Sequence, residues 1–144
     1  MENFTAKAGT RLHILRLDPG DDLLDCVNAL IKKEGIVNGA VVSGIGTFSS
    51  CCLHSVTTTG YPPVERFDRW EDVPMELASV DGIIANGMPH LHAVVSDDKG
   101  TYAGHVEPGC VILYLGELLI AEFEIDGLHR RKNEKGINEL TVGK

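Results

Sequence analysis

No stretch of this 144-residue sequence approaches the roughly 20 consecutive apolar residues that a membrane helix needs. Nor does a charged start lead into a short apolar run, so no secretory signal is expected and a cytoplasmic protein is. Positive charge is in short supply: 13 Lys and Arg stand against 21 Asp and Glu, a formal net charge of −8. A protein that grips nucleic acid through its own surface usually carries a basic patch, because phosphate contacts dominate the affinity. Only Arg130, Arg131 and Lys132 cluster, and a solvated tail is the simpler account of them. The four cysteines, Cys26, Cys51, Cys52 and Cys110, include no Cys-x-x-C pair, so the spacing signature of a thiolate site is missing. Reduced, mostly buried thiols are expected instead. Gly44-Ile45-Gly46 lacks the rest of a dinucleotide fingerprint, and no Lys-Ser/Thr closes it, so these glycines read as packing or turn residues. Internal repeats and low-complexity segments are missing too.

What remains is a chain that can build a core. Hydrophobic residues make up 43%, and a chain of this length buries roughly 68–70% of its unfolded surface. One domain over residues 1–144 is expected, with its core at about 11–130 and a flexible polar tail over 131–144. "RLHILRL" (11–17) reads as a first strand, which "DPGDD" breaks. Residues 22–34, "DLLDCVNALIKKE", set Leu23, Leu24, Val27, Leu30 and Ile31 on one helical stripe. Asp21 is the expected N-cap, Lys32 and Lys33 suit the last turn, and Gly35 ends it. "GAVVSGIG" (39–46) and "CCLHSVTTT" (51–59) read as two strands. "GYPPVERFDRWEDV" (60–73) reads as an irregular loop, either a contact surface or a segment folding its aromatics onto the core. "MELASVDGIIANG" (75–87) reads as a strand broken near Asp81-Gly82 and closed by the hairpin signal Asn86-Gly87. "HLHAVVSD" and "TYAGHV" form the next hairpin. "CVILYLGELLIAEFEI" (110–125) is rich in Val, Ile, Tyr and Phe, which favours two strand segments meeting at Gly116 over a helix. The sum is an α+β domain: mostly antiparallel sheet with one helix packed on it.

The chemistry concentrates in "PHLHAVVSDDKGTYAGH". On a strand, His90 and His92 share a face, with Cα atoms roughly 6.6 Å apart. If Asp97-Asp98-Lys99-Gly100 is a four-residue loop with Gly100 left-handed, His92 sits opposite His105, and Glu107 opposite His90. Paired Cβ atoms are then roughly 4.5–5.5 Å apart. A three-residue loop with a bulge at Gly100 would shift the register and send His105 to the other face. Two readings stay open: a metal held by three imidazoles, or neutral histidines on a half-wet sheet. Three histidines without a thiolate suit zinc or another borderline divalent ion and leave a fourth position open. Glu107 and Glu117 are the candidate general bases. His54 reads as a lone strand histidine, satisfied locally more often than a ligand, and His13 and His129 lack comparable neighbours.

The residues "GMPHLHAVVSDDKGTYAGHVEPGC", preceded by "RLHILRLDPGDDLLDCVNALIKKEGIVNGAVVSGIGTFSSCCLHSV", resemble the PPC (plants and prokaryotes conserved) domain. The likeness runs from about Arg11 to Arg130. It lies in the order of the Pro-Gly-Asp-Asp helix start, the Gly-Ile-Gly strand end, the His-x-His strand, the Gly-His and the later Glu117. The resemblance implies a strongly curved, mostly antiparallel sheet and a homotrimer. It also implies a divalent metal, usually zinc, held by the residues matching His90, His92 and His105 near a subunit interface. Plant members carry an Arg-Gly-Arg-Pro AT-hook, the origin of the family's DNA-binding label. No such element occurs here, and Ala103 replaces one glycine of the family's Gly-Gly-His. The expected function is a trimeric metal-binding module for a small ligand or a protein partner. A metal-dependent enzyme with catalytic residues unknown and a DNA-associated regulator are the alternatives. A site with ligands but no clear acid–base pair favours the module over the enzyme.

Overall fold

The computed structural model of the chain describes residues 2–143. The elements run β1 (Lys7–Leu17), α1 (Leu23–Glu34), β2 (Gly39–Val56), β3 (Glu65–Trp70), β4 (Met75–Ala85), β5 (Met88–Ser96), β6 (Thr101–Val106), β7 (Val111–Glu124), β8 (His129–Lys132) and β9 (Asn138–Thr141). The fold is the expected mostly antiparallel sheet with a single helix among the described residues.

The helix forms where the stripe placed it and buries Leu23, Val27 and Ile31. Its cap is Asp22, one residue later than expected, because Asp22 Oδ1 accepts the amides of Leu24 and Asp25. Asp22 Oδ2 also accepts the Gly109 amide, tying the helix start to the turn before β7. Asp21 is not idle: its carboxylate accepts the Asp18 amide in the preceding turn. Gly35 closes the helix with its amide on the Ile31 carbonyl.

The sheet order is β1-β7-β2-β4-β5-β6, with β3 beside β2 and a further pairing between β2 and β6. That last contact returns the sheet upon itself and gives it its strong curvature. It works because β2 is one strand of 18 residues, where two shorter strands were expected. Register shifts between Val41 and Ser43 and between Gly46 and Ser50 bend it, as bulges do. Its first half then lies between β4 and β7, and its second half between β3 and β6.

Four further expectations change. The two strand segments expected after Cys110 are joined in one strand, Val111–Glu124, and the irregularity expected at Gly116 appears as a register shift: Gly116 pairs with Gly46, but the next pair towards the strand's start is Ile112 with Phe48. β4 likewise runs unbroken through Asp81-Gly82, both paired to β5. The expected loop over 60–73 contains β3, on which Phe67 stays exposed while Trp70 packs against the core and stacks on Tyr102, centroids 4.7 Å apart. Much of the tail expected over 131–144 is paired: Asn138–Thr141 lies against His129–Lys132 as a hairpin.

Core and surface follow from the ladder. Leu12, Ala121, Ala40, Ile83 and His90 stand side by side in one row across β1, β7, β2, β4 and β5. The next row, His13, Ile120, Val41, Gly82 and Leu91, points the other way. Ile120, Val41 and Leu91 of that row are buried in one cluster with the helix stripe. The first row therefore lies on the face away from the helix. Three of the four cysteines are buried, with Cys51 Sγ and Cys110 Sγ 3.8 Å apart, and all four are free thiols.

Candidate metal centre

Two hairpins place the histidines. The β4–β5 turn is Asn86-Gly87, both at positive φ (50° and 73°), the two-residue form that matches strand twist. It sets Ala85 opposite Met88, and hence Ile83 opposite His90 and Asp81 opposite His92. The β5–β6 loop is the four-residue alternative, with Ser96 opposite Thr101 and His92 opposite His105. Gly100 is not left-handed; instead the Asp97 carboxylate accepts the amides of Lys99 and Gly100 and closes the loop.

β6 then leaves β5 and joins β2. His105 pairs with His54, and Val106 with Leu53. Gly104 permits this approach: a Cβ there would stand 2.6 Å from the His54 carbonyl oxygen. The departure corrects one expectation. Glu107 does not oppose His90, because its amide bonds to the Cys52 carbonyl and its carboxylate to His54 Nδ1 at 2.6 Å. An ionised carboxylate can only accept, so His54 Nδ1 carries the proton. Glu117, exposed on β7, pairs with Arg16 and Ile45, outside the histidine cleft.

The result is a row, Asp81, His92, His105, His54 and Phe67, across five strand positions, with His90 two residues along from His92. Ring centroids lie 4.9 Å apart for His90–His105, 5.3 Å for His90–His92 and 5.5 Å for His92–His105. His54 stands 4.6 Å from His105. Sequence reasoning missed His54. Its neighbours in the chain give no sign of a partner about fifty residues away, and only the β2–β6 pairing supplies one. His13 sits elsewhere, 2.7 Å from Glu122. His129 lines the same cleft as the trio. That cleft has a volume of about 740 Å³ and is lined in part by residues of the β8–β9 hairpin.

The residues suit a divalent cation. His90, His92 and His105 offer nitrogens that all lie within 4.8 Å of one another. Ligands at 2.0–2.1 Å around a tetrahedral ion are roughly 3.4 Å apart, so modest side-chain rotation closes the set. A second group, His54, His105 and Glu107, meets the same limit and shares His105. There, however, His54 and Glu107 already satisfy each other.

Their surroundings favour the neutral form of His105 and His90, the form that binds metal. Burial pushes His105 down to about 4, and the neighbouring His54 and His90 add to it. Burial, with the Arg130 guanidinium next, lowers His90 as well. A histidine so depressed takes up its proton more readily in the unfolded chain, whose value is about 6.5. Its contribution to stability is therefore whole above pH 6.5 and is lost as pH falls from there toward 4. Chelator-treated protein is expected to lose up to about 3 kcal/mol over that window. His105→Gln should flatten the slope, as urea unfolding at several pH values would show.

Known proteins resemble this chain in sequence and fold. The family model of the Plants and Prokaryotes Conserved (PCC) domain matches residues 4–124. The bifunctional protein GlmU of Synechococcus sp. (strain JA-2-3B'a(2-13)) is 30% identical over 113 residues, which is 78% of this chain and 17% of that protein. The chain thus spans only a small part of that relative. A plant- and prokaryote-conserved (PPC) protein from Pyrococcus horikoshii superposes with a TM-score of 0.81 at 23% identity, covering 100% of this chain and 99% of that one. A metal-containing protein from Archaeoglobus fulgidus gives 0.80 at 21%, covering 98% and 99%. A Bacteroides thetaiotaomicron protein labelled as a candidate DNA-binding protein gives 0.78 at 21%, covering 96% of each chain. At these identities the likeness establishes the fold.

Proposed function

The chain belongs to the Plants and Prokaryotes Conserved (PCC) domain family, and from that premise we propose that it is a metal-binding module in which His90, His92 and His105 hold one zinc ion. The observation that carries this reading is the grouping of three imidazoles, placed by two hairpin registers, with nitrogens within 4.8 Å of one another. An all-nitrogen set favours zinc or a similar borderline ion over magnesium or calcium, and three ligands leave a position for a small molecule. Metal analysis of the purified protein tests it. About one zinc per chain, removable by chelator, is the expected content; protein free of transition metal after growth with zinc would overturn the reading.

The module works as a homotrimer in this proposal. Support comes from the face away from the helix, where Leu12 is 69% and Ile14 85% exposed at the edge of an apolar row that ends at His90. Exposed aliphatic surface of that extent is costly unless another protein covers it.

One observation favours catalysis as a second reading: the His54–Glu107 pair beside His105 is a ready proton acceptor. The ion, when bound, would supply a water acidified to about pKa 7. His54 would take the proton at Nε2 while Glu107 holds Nδ1. Direct DNA binding has no such support, since the chain carries a net charge of −8 and no Arg-Gly-Arg-Pro element. No helix among the described residues is long and apolar enough to cross a membrane.

A further inference from the structure

Arg130 carries a charge that neither the fold nor the metal reading balances. It comes from β8, beyond the residues that the family model matches. Its guanidinium reaches back over the β4–β5 hairpin, where Nη1 donates to the Met88 carbonyl and Nη2 to the Ile83 carbonyl, both at 3.1 Å. Among the described residues no carboxylate pairs with it. A guanidinium has five N–H donors, so this arrangement fixes the plane of the fork and leaves donors to spare. Arg130 lines the same cleft as His54, His90, His92 and His105, and its charge is felt at His90.

A half-buried arginine without a counter-ion is expensive, and one beside a divalent cation more so. The cleft offers little negative charge in return: Glu65 at its exposed rim is the one acidic residue of its lining. The missing partner is therefore an anion brought from outside. Its chemistry can be narrowed. Phosphate sites recruit several cations, a helix N-terminus or a nest of backbone amides. Among the lining residues Arg130 is the single Lys or Arg, and the helix start lies elsewhere. A lone planar fork suits a carboxylate. The volume of about 740 Å³ is within the range for small-molecule clefts.

We propose that the histidine cleft binds a small carboxylate, with one end of the molecule at the metal's open position and its charge matched by Arg130. This rests on the metal reading above and deepens it by naming the class of ligand. The β8–β9 hairpin is then the element that gives the site its specificity.

Cobalt(II)-substituted full-length protein tests the proposal, because its visible absorption reports the coordination of the ion without any turnover. Titration with acetate is expected to change the spectrum saturably, with Kd on the order of millimolar for so small a fragment. Arg130→Gln should weaken acetate about tenfold or more while holding the same cobalt per chain. Arg130→Lys keeps the charge, loses the fork and should fall between. Melting temperatures of the three proteins without acetate separate a ligand contact from a loss of folding. Full cobalt uptake with no acetate response, or equal acetate affinity in folded Arg130→Gln, would overturn the proposal and leave the metal site standing. A stronger response to inorganic phosphate than to acetate would overturn the carboxylate assignment. Failure to take up cobalt would instead contradict the metal reading itself.

Discussion

His105→Ala protein is expected to retain less than about a tenth of the zinc that the wild-type protein holds, because losing one of three ligands costs more than the 10–100-fold typical of an outer-shell change. His105 is the residue to remove because it belongs to both donor groups of the cleft. Two companions then say which group is used. His90→Ala should lose the ion as His105→Ala does. His54→Ala should keep it with affinity lowered by no more than about 100-fold, since His54 is engaged with Glu107 and acts from the outer shell. The opposite outcome, loss in His54→Ala and retention in His90→Ala, would move the ion to the other group. All three substitutions lie on exposed or half-buried strand positions. Circular dichroism should therefore show folded proteins, and zinc content reads the ligands alone.

The second large effect concerns assembly. Leu12→Asp combined with Ile14→Asp is expected to take the protein from three chains per particle to one, measured by light scattering after size exclusion at micromolar concentration. Both side chains stand almost free of their own chain, so the double variant should change monomer stability by no more than about 0.5 kcal/mol per site. Within an apolar contact the same carboxylates would be buried without partners, which costs several kcal/mol each after relaxation. Ile14 is flanked on the ladder by Leu119, and Leu12 by Ala121. The patch is thus continuous across strands, not a scatter of single residues. A wild-type protein that runs as a monomer at all accessible concentrations would sink the trimer.

Much of this was legible in the residues. The apolar stripe and its glycine stop placed the helix within a residue at either end, because capping and periodicity are local signals. Asn86-Gly87 fixed the register of β5 for the same reason: few two-residue turns fit strand twist, and this dipeptide favours one of them. The β5–β6 loop could be narrowed only to two registers, since Asp97 closes the turn through its side chain, and nothing in the spacing requires that. What stayed hidden depends on pairing far apart in the chain. The bend of β2 and its contact with β6 bring His54 to His105 and turn Glu107 away from His90. The C-terminal hairpin was hidden by its polarity. Arg130, Arg131 and Lys132 read as the start of a solvated tail, yet Arg130 is held by the backbone of β4 and β5.

The central claim is that three histidines from two adjoining strands meet on one ion, and anomalous diffraction from zinc-grown crystals tests it most directly. The account predicts one strong peak per chain at the zinc edge, about 2.0–2.1 Å from a nitrogen of each of His90, His92 and His105. A map with no peak in the cleft, or with its peak between His54 and Glu107, would contradict it.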